Sequence, residues 1–261
     1  MSEYEYLITE QSNGVLSIVF NRPKANAFNQ QMVDELLQTL KYAAREVSIR
    51  CLVITGRGRF FSAGQDVSDV ASEIETISYR HHLEHTFNRI VRHMRKLEKP
   101  IIGAINGPVA GASLGIALAT DVRWAALSAS FVFGFTGIGL TADAGTSLTI
   151  PLLIGMSRAM EMAFTNQPLS AEQALEYGLI SRVVPDEEFP GAVDELAASL
   201  AAGPTRALGL TKRAFNRALL SGLDDVLDYE AFMQEIAGRT EDHKEGVAAF
   251  IEKRPPNFKG I

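Results

Sequence analysis

With a single cysteine in 261 residues, the chain has no means of forming an intrachain disulfide or a thiolate metal centre. That cysteine, Cys51, lies in the apolar run CLVIT and reads as a buried strand residue. Positive charge is also scarce: 25 basic side chains face 31 acidic ones, for a formal net charge of -6 and a pI near 5.5. No long Lys/Arg cluster is present, so neither nucleic acid nor an anionic membrane surface is an expected partner. The N-terminal MSEYEYLITE has neither the basic start and apolar stretch of a secretory signal nor the Arg-rich character of a transit peptide, which predicts a cytoplasmic protein. Membrane spans are excluded by composition. Residues 100–120 and 124–142 carry no charge, but Pro100, Asn106, Gly107, Pro108 and Gly111 interrupt the first, and the second is rich in glycine and hydroxyls. A composition of 46% hydrophobic and 21% charged residues also excludes disorder and collagen-like repeats.

Several apolar, β-branched runs predict buried strands at 15–20 (VLSIVF), 51–55 (CLVIT), 101–105 (IIGAI) and about 121–127. Between them lie helices. Asn29 is placed to cap a helix whose apolar face is Met32, Val33, Leu36, Leu37 and Leu40, and residues 75–97 form a second amphipathic segment. From Ser157 onward the pattern turns helical: Ser170 and Gln173 form a capping box, Gly178 stops that helix, and Pro190 and Pro204 open later ones. The expected class is α/β, with a core over 1–155 and a helical region over 156–261. The absence of a flexible linker predicts one folded unit.

Three segments rich in small residues stand at strand or helix ends: FFSAGQDV (60–67), INGPVAGASLGIALATD (105–121) and GIGLTADAGTS (137–147). In the second, Gly111, Ala112 and Ser113 open a helix, whose first amides lack partners and whose small side chains let a ligand approach the backbone. In the first, Ser62, Ala63 and Gly64 leave the Gln65 amide bare in the same way. Two amides converging on one point make an oxyanion hole; the plainer alternative is a pair of tight turns.

NRPKANAFN (21–29), FSAGQD (61–66), NGPVAGASLGIALATD (106–121), GLISRVV (178–184) and FIEKRPPNF (250–258) together resemble the crotonase, or enoyl-CoA hydratase/isomerase, family over essentially the whole chain. The resemblance implies a crotonase-type spiral of ββα turns with a helical C-terminal trimerisation region that also covers the active site, assembled as a homotrimer or a dimer of trimers. It also implies an acyl-CoA thioester substrate, with no cofactor beyond the CoA moiety and no metal. Carried over position by position, it puts the oxyanion amides on Gln65 and Ala112, within Gly64, Gln65, Asp66 and Gly111, Ala112. Lys24, Ala25, Ala63, Phe250 and Lys253 fall where such proteins contact coenzyme A. Phe87, Asn88, Phe133, Phe135 and Gly115 are expected around the acyl pocket.

The two glutamates of the family's hydratases align with Gly115 and Phe135, neither of which can move a proton, so hydration is disfavoured. One acid remains. Asp143, eight positions beyond Phe135, is the sole charged residue between Trp124 and Ser157. Amid apolar neighbours its pKa should be raised, suiting it to act as base and then acid; on the residues alone it also reads as a helix N-cap. It matches the acid of the family's single-aspartate isomerases and equally the nucleophilic aspartate of 4-chlorobenzoyl-CoA dehalogenases, which the stretch 152–170 also resembles. In those dehalogenases a histidine activates water where this chain has Asn88, with His85 as a displaced candidate. His81, His82, His85 and His93 otherwise read as exposed helix positions and not as metal ligands. The leading expectation is an acyl-CoA isomerase. A dehalogenase or thioester hydrolase, or an acyl-CoA-binding protein without catalysis, are the alternatives.

Overall fold

The computed structural model describes residues 4–71 and 74–261. The chain begins with strands β1 (Leu7–Ser12) and β2 (Val15–Phe20), then α1 (Gln30–Arg45), β3 (Cys51–Gly56), α2 (Val67–Ala71), α3 (Tyr79–His85) and α4 (Phe87–Lys96). It continues through β4 (Ile101–Ile105), β5 (Val109–Ala110), α5 (Ala112–Leu118), β6 (Val122–Ala126), β7 (Ser130–Val132), a 3-10 turn at Thr136–Ile138, α6 (Thr146–Ile154) and α7 (Met156–Thr165). The remainder is β8 (Leu169–Ser170), α8 (Ala171–Tyr177), β9 (Arg182–Val184), α9 (Phe189–Ala202), α10 (Thr205–Leu219), α11 (Leu223–Ala237) and α12 (Glu241–Glu252).

Six strands form one sheet in the order β1-β2-β3-β4-β6-β9, antiparallel only at its β1-β2 edge; β5, β7 and β8 form a second, smaller sheet. Residues of β3 divide between two cores. Leu52 and Ile54 join Leu36 and Leu40 of α1, whereas Cys51 and Val53 join Ile102 and the α9 residues Phe189, Val193 and Ala197. A sheet covered on both faces accounts for the uninterrupted apolar runs of β3 and β4. Cys51 is fully buried, and burial pushes its thiol up to about 12.

Local signals locate most element ends. The Asn29 side chain accepts the Met32 amide at 2.9 Å, Ser170 and Gln173 make the reciprocal capping box, and Gly178 ends α8 in the left-handed conformation. Two expectations need correction. The segment 75–97 is two helices, because Thr86 takes a non-helical conformation (φ -116, ψ -102) that breaks the ladder between α3 and α4. The region from 156 onward also contributes strands β8 and β9, and α9 covers the large sheet. No described helix is long and apolar enough to cross a membrane.

Candidate active site

A cavity of about 1190 Å³ opens between the loops that follow β2 and β3, helices α3 and α5, the turn after β7, and helices α11 and α12. Its floor is laced together by Ser62. The Ser62 hydroxyl donates to the Asn26 carbonyl at 2.7 Å, so in its 2.6 Å contact with Ser113 it is the acceptor; the Ala110 amide donates to the Ser62 carbonyl at 3.1 Å. These bonds hold the 62–65 turn against the start of α5.

Gln65 forms a single parallel bridge with Phe28, made by the Gly64 carbonyl accepting from Phe28 at 2.7 Å and the Asp66 amide donating to Phe28 at 2.9 Å. Such a bridge uses the neighbours of Gln65 and turns its own N–H to the opposite side. Ala112 is the first residue of α5, where the helix supplies no acceptor for its N–H. The two amides are neighbours: a Cβ on Gly64 would sit 3.5 Å from the Ala112 nitrogen and 2.8 Å from the Ala110 carbonyl oxygen. Gly64 also has φ +92, so only glycine fits this close approach.

Asp143 faces the same cavity from the loop before α6. It is 6% exposed. Its Oδ2 accepts from Gln234 Nε2 at 2.9 Å, while its buried Oδ1 has no hydrogen-bond partner. Burial pushes its pKa up to about 8; the Gln234 bond works against that rise and the charge of Glu230 adds to it. The side chain is not a helix cap: Gly145 occupies the N-cap of α6 without a side-chain bond, and the Asp143 carbonyl accepts from Thr146. Gly115 stands behind this loop, and a Cβ there would fall 2.5 Å from the Ala144 Cβ and 2.7 Å from the Ala144 oxygen. Position 115 is thus closed to a larger side chain by the backbone next to Asp143.

Lys24, Ala25, Ala63, Gln65, Asp66, Gly111, Ala112, Phe87, Phe135, Phe250 and Lys253, all expected at the site, line the cavity. Lys24, Ala25 and Asn26 have successive φ values of +63, +61 and +53, an unusual run for residues with side chains. Asn26 holds it, accepting from the Arg22 amide and donating to the Arg57 and Phe60 carbonyls. Burial pushes the Asp66 carboxyl up, but bonds from Ser68 and Arg22 outweigh it and hold the group below the usual range. Asp66 is therefore an ion-paired anchor. Gly64, Gly115, Phe133 and Asn88 were expected at the site and are not on the cavity wall, Gly64 being packed against the Ala110 carbonyl. Phe133 packs edge-on against Phe135 at 4.9 Å, and Asn88 is fully buried, donating to the Leu227 carbonyl at 2.9 Å.

The histidines also need correction. His81 and His85 are exposed and stacked at 3.9 Å, but His93 is half-buried with its Nδ1 2.8 Å from the Arg89 carbonyl, and His82 is half-buried, lines the cavity, and donates from Nε2 to Gln65 Oε1 at 3.2 Å. Tyr79, Gln234 and His243 line it as well, and none of them was among the expected site residues. The His243 Nδ1 lies 2.7 Å from the Ile138 carbonyl, which fixes the proton there, so Nε2 accepts from the Tyr79 hydroxyl at 2.6 Å. Burial lowers the pKa of both imidazoles, keeping them neutral, and pushes Tyr79 up to about 12. Among the described residues no group of three His, Cys, Asp or Glu side chains could hold a metal ion.

A family model described as enoyl-CoA hydratase/isomerase matches residues 10–261. The chain belongs to the enoyl-CoA hydratase/isomerase, or crotonase, family. This crotonase is 42% identical over 259 residues to the 1,2-epoxyphenylacetyl-CoA isomerase of Escherichia coli K12, covering 98% of this chain and 99% of that protein. It is 36% identical over 231 residues to 4-chlorobenzoyl coenzyme A dehalogenase-2 of Arthrobacter sp, covering 86% and 83%. A solved enoyl-CoA hydratase from Mycobacterium avium subsp. paratuberculosis K-10 superposes with a TM-score of 0.88 at 35% identity, covering 98% of this chain and all of that one. The fold is the crotonase fold, and the chain is an enzyme of that superfamily.

Proposed function

We propose that the enzyme isomerises an acyl-CoA thioester, using Asp143 as the single acid/base. The Gln65 and Ala112 amides hold the thioester oxygen as it gains enolate charge. Asp143 Oδ1 takes a proton from the α-carbon, the bonding electrons move to the carbonyl oxygen, and the same carboxyl returns the proton at the γ-carbon. The double bond shifts without gain or loss of atoms. No group beyond the CoA part of the substrate is needed. A carboxyl with a pKa of about 8 is a stronger base than an ordinary aspartate and, once protonated, a reservoir close to the operating pH.

The observation that carries this reading is Asp143 at the cavity with its Oδ1 unpartnered; the family resemblance, which aligns Gly115 and Phe135 with the two hydratase acids, supports it. The 42% identical isomerase supports isomerisation as the class, and Phe87 and Phe135 on the wall suit an aromatic acyl group as well as an aliphatic one. Turnover of 3-enoyl-CoA and 1,2-epoxyphenylacetyl-CoA by wild type and Asp143→Asn tests it. The expected result is isomerised product from at least one substrate and a loss of 10³-fold or more in the variant; an active variant overturns the reading.

A second reading makes Asp143 a nucleophile, as the dehalogenase relative suggests. Neutral His82, facing the cavity with Nδ1 unprotonated, could activate water, whereas Asn88 is buried away from it and His85 is exposed. Only this route leaves an acyl or aryl adduct on Asp143, visible by mass spectrometry of quenched enzyme. We further propose self-association through exposed apolar side chains of the C-terminal helices, including Phe215 and Leu219 of α10 and Phe232 and Ile236 of α11.

A further inference from the structure

Helix α11 packs over the Asp143 loop and presents two buried polar side chains one turn apart, Glu230 and Gln234, each 1–2% exposed. Gln234 Oε1 accepts the Thr141 N–H at 3.1 Å, and since an N–H can only donate, the amide orientation is fixed with Nε2 toward Asp143. Nε2 can itself only donate, so the bond is strongest when Asp143 Oδ2 carries no proton, a carbonyl or carboxylate oxygen being a better acceptor than a carboxylic O–H. In the neutral carboxyl this bond favours the proton on Oδ1, the oxygen with no protein partner. Glu230 holds the chain just beyond, accepting the Gly145 N–H at 2.7 Å and the Ser147 N–H at 2.9 Å.

We propose that Gln234 is a positioning residue that divides the two oxygens of Asp143 between tasks, Oδ2 to the protein and Oδ1 to the substrate, with Glu230 as its electrostatic counterweight. The inference rests on the acid/base reading of Asp143 and adds how that group is aimed and tuned. Gln234 favours the ionised carboxylate and Glu230 opposes it. From α3, Tyr79 and His82 face the same cavity, and from α12 His243; the first is held protonated and both imidazoles neutral by burial. Asp66 is paired with Arg22, Lys24 and Lys253 stand exposed at the cavity, and neither α5 nor α6 carries a titratable side chain. Burial pushes the Glu230 carboxyl up and bonds from Ser147 and Gly145 work against that rise; when ionised it is the group that opposes Asp143 ionisation, and Gln234 is the donor that favours it.

The test is the titration of the Asp143 carboxyl in free protein, followed by carboxyl-selective infrared or ¹³C NMR spectroscopy, together with the pH profile of kcat/KM. Gln234→Met keeps the side-chain length but loses the donor; the titration should move up by about one unit, since hydrogen bonds to the charged form favour it. At pH 7 kcat/KM should then fall about tenfold and recover as pH rises. Glu230→Gln should move both titration and profile down. A merely structural role would lower the plateau without moving the limb. Opposite shifts support the proposal; no shift, or shifts of the same sign, overturn it. Should Glu230→Gln fail to fold, Gln234→Met decides alone, an upward shift supporting and an unmoved titration overturning. Because the titration needs no substrate, absence of isomerase turnover would remove the reading of the reaction and leave this result standing separately.

Discussion

Asparagine at position 143 keeps the shape of aspartate and removes its ability to ionise. In the native protein the carboxyl holds its proton up to a pH of about 8, against an ordinary value of 3.8, because burial disfavours the charge. Between those two values the unfolded chain has released the proton and the native state has not. Wild-type stability therefore falls as pH rises through that window, by about 1.4 kcal/mol per pH unit, and levels off above the native pKa. The full span corresponds to a cost on the order of 5 kcal/mol, absent in Asp143→Asn. The variant has a constant cost of its own, about 1–3 kcal/mol for an amide donor buried where Oδ1 now has no partner. It should thus be equal to or less stable than wild type near pH 4.5 and more stable by a few kcal/mol at pH 8.5. Urea unfolding of both proteins at half-unit intervals from pH 4.5 to 9, at one protein concentration, reads the difference. A difference that stays flat across this range would show that Asp143 titrates normally and would refute the account of a buried, proton-holding acid.

Gly64→Ala should reduce kcat by 10²-fold or more, since the new Cβ would meet the Ala110 oxygen at 2.8 Å in a backbone conformation of φ +92, spreading the two amides apart; steady-state kinetics with a substrate of the wild type reads it. Gly115→Glu should fail to create a hydratase and should lower the melting temperature, because its Cβ would lie 2.5 Å from that of Ala144; overpacking of this kind costs about 1–3 kcal/mol or more. Ser62→Ala removes the link among Asn26, Gly64 and Ser113, and should cost about 1–3 kcal/mol in urea unfolding and lower kcat more than it raises KM.

Strands β2, β3 and β4 were legible because their apolar, β-branched runs are buried in the sheet. β1 was not, because LITEQS alternates buried and exposed residues at an edge, and its leading acidic residues suggested only polarity. The helical period runs unbroken from α3 into α4, so nothing local announced the break at Thr86. At the site, small residues marked the two turns that bring Gly64 close to Ala112, and an isolated charge marked Asp143. Gln234 lies 91 residues from Asp143 and carries no motif, although buried polar residues at 230 and 234 on a face that also holds Leu223, Leu227 and Ala231 were a usable signal. His82 was misread because a histidine-rich helix looks solvated, and only the fold turns that one ring toward Gln65.

In the proposed reaction Asp143 moves a proton within one substrate molecule. Single-turnover reaction of wild type and Asp143→Asn with a 3-enoyl-CoA in deuterated water, following ultraviolet absorbance for conjugation and mass spectrometry for the acyl group, tests it most directly. Wild type alone should give conjugated product, with deuterium incorporation well below one atom per turnover because the carboxyl is buried. Equal conversion by the variant, or an adduct on Asp143 in place of conjugated product, would contradict it.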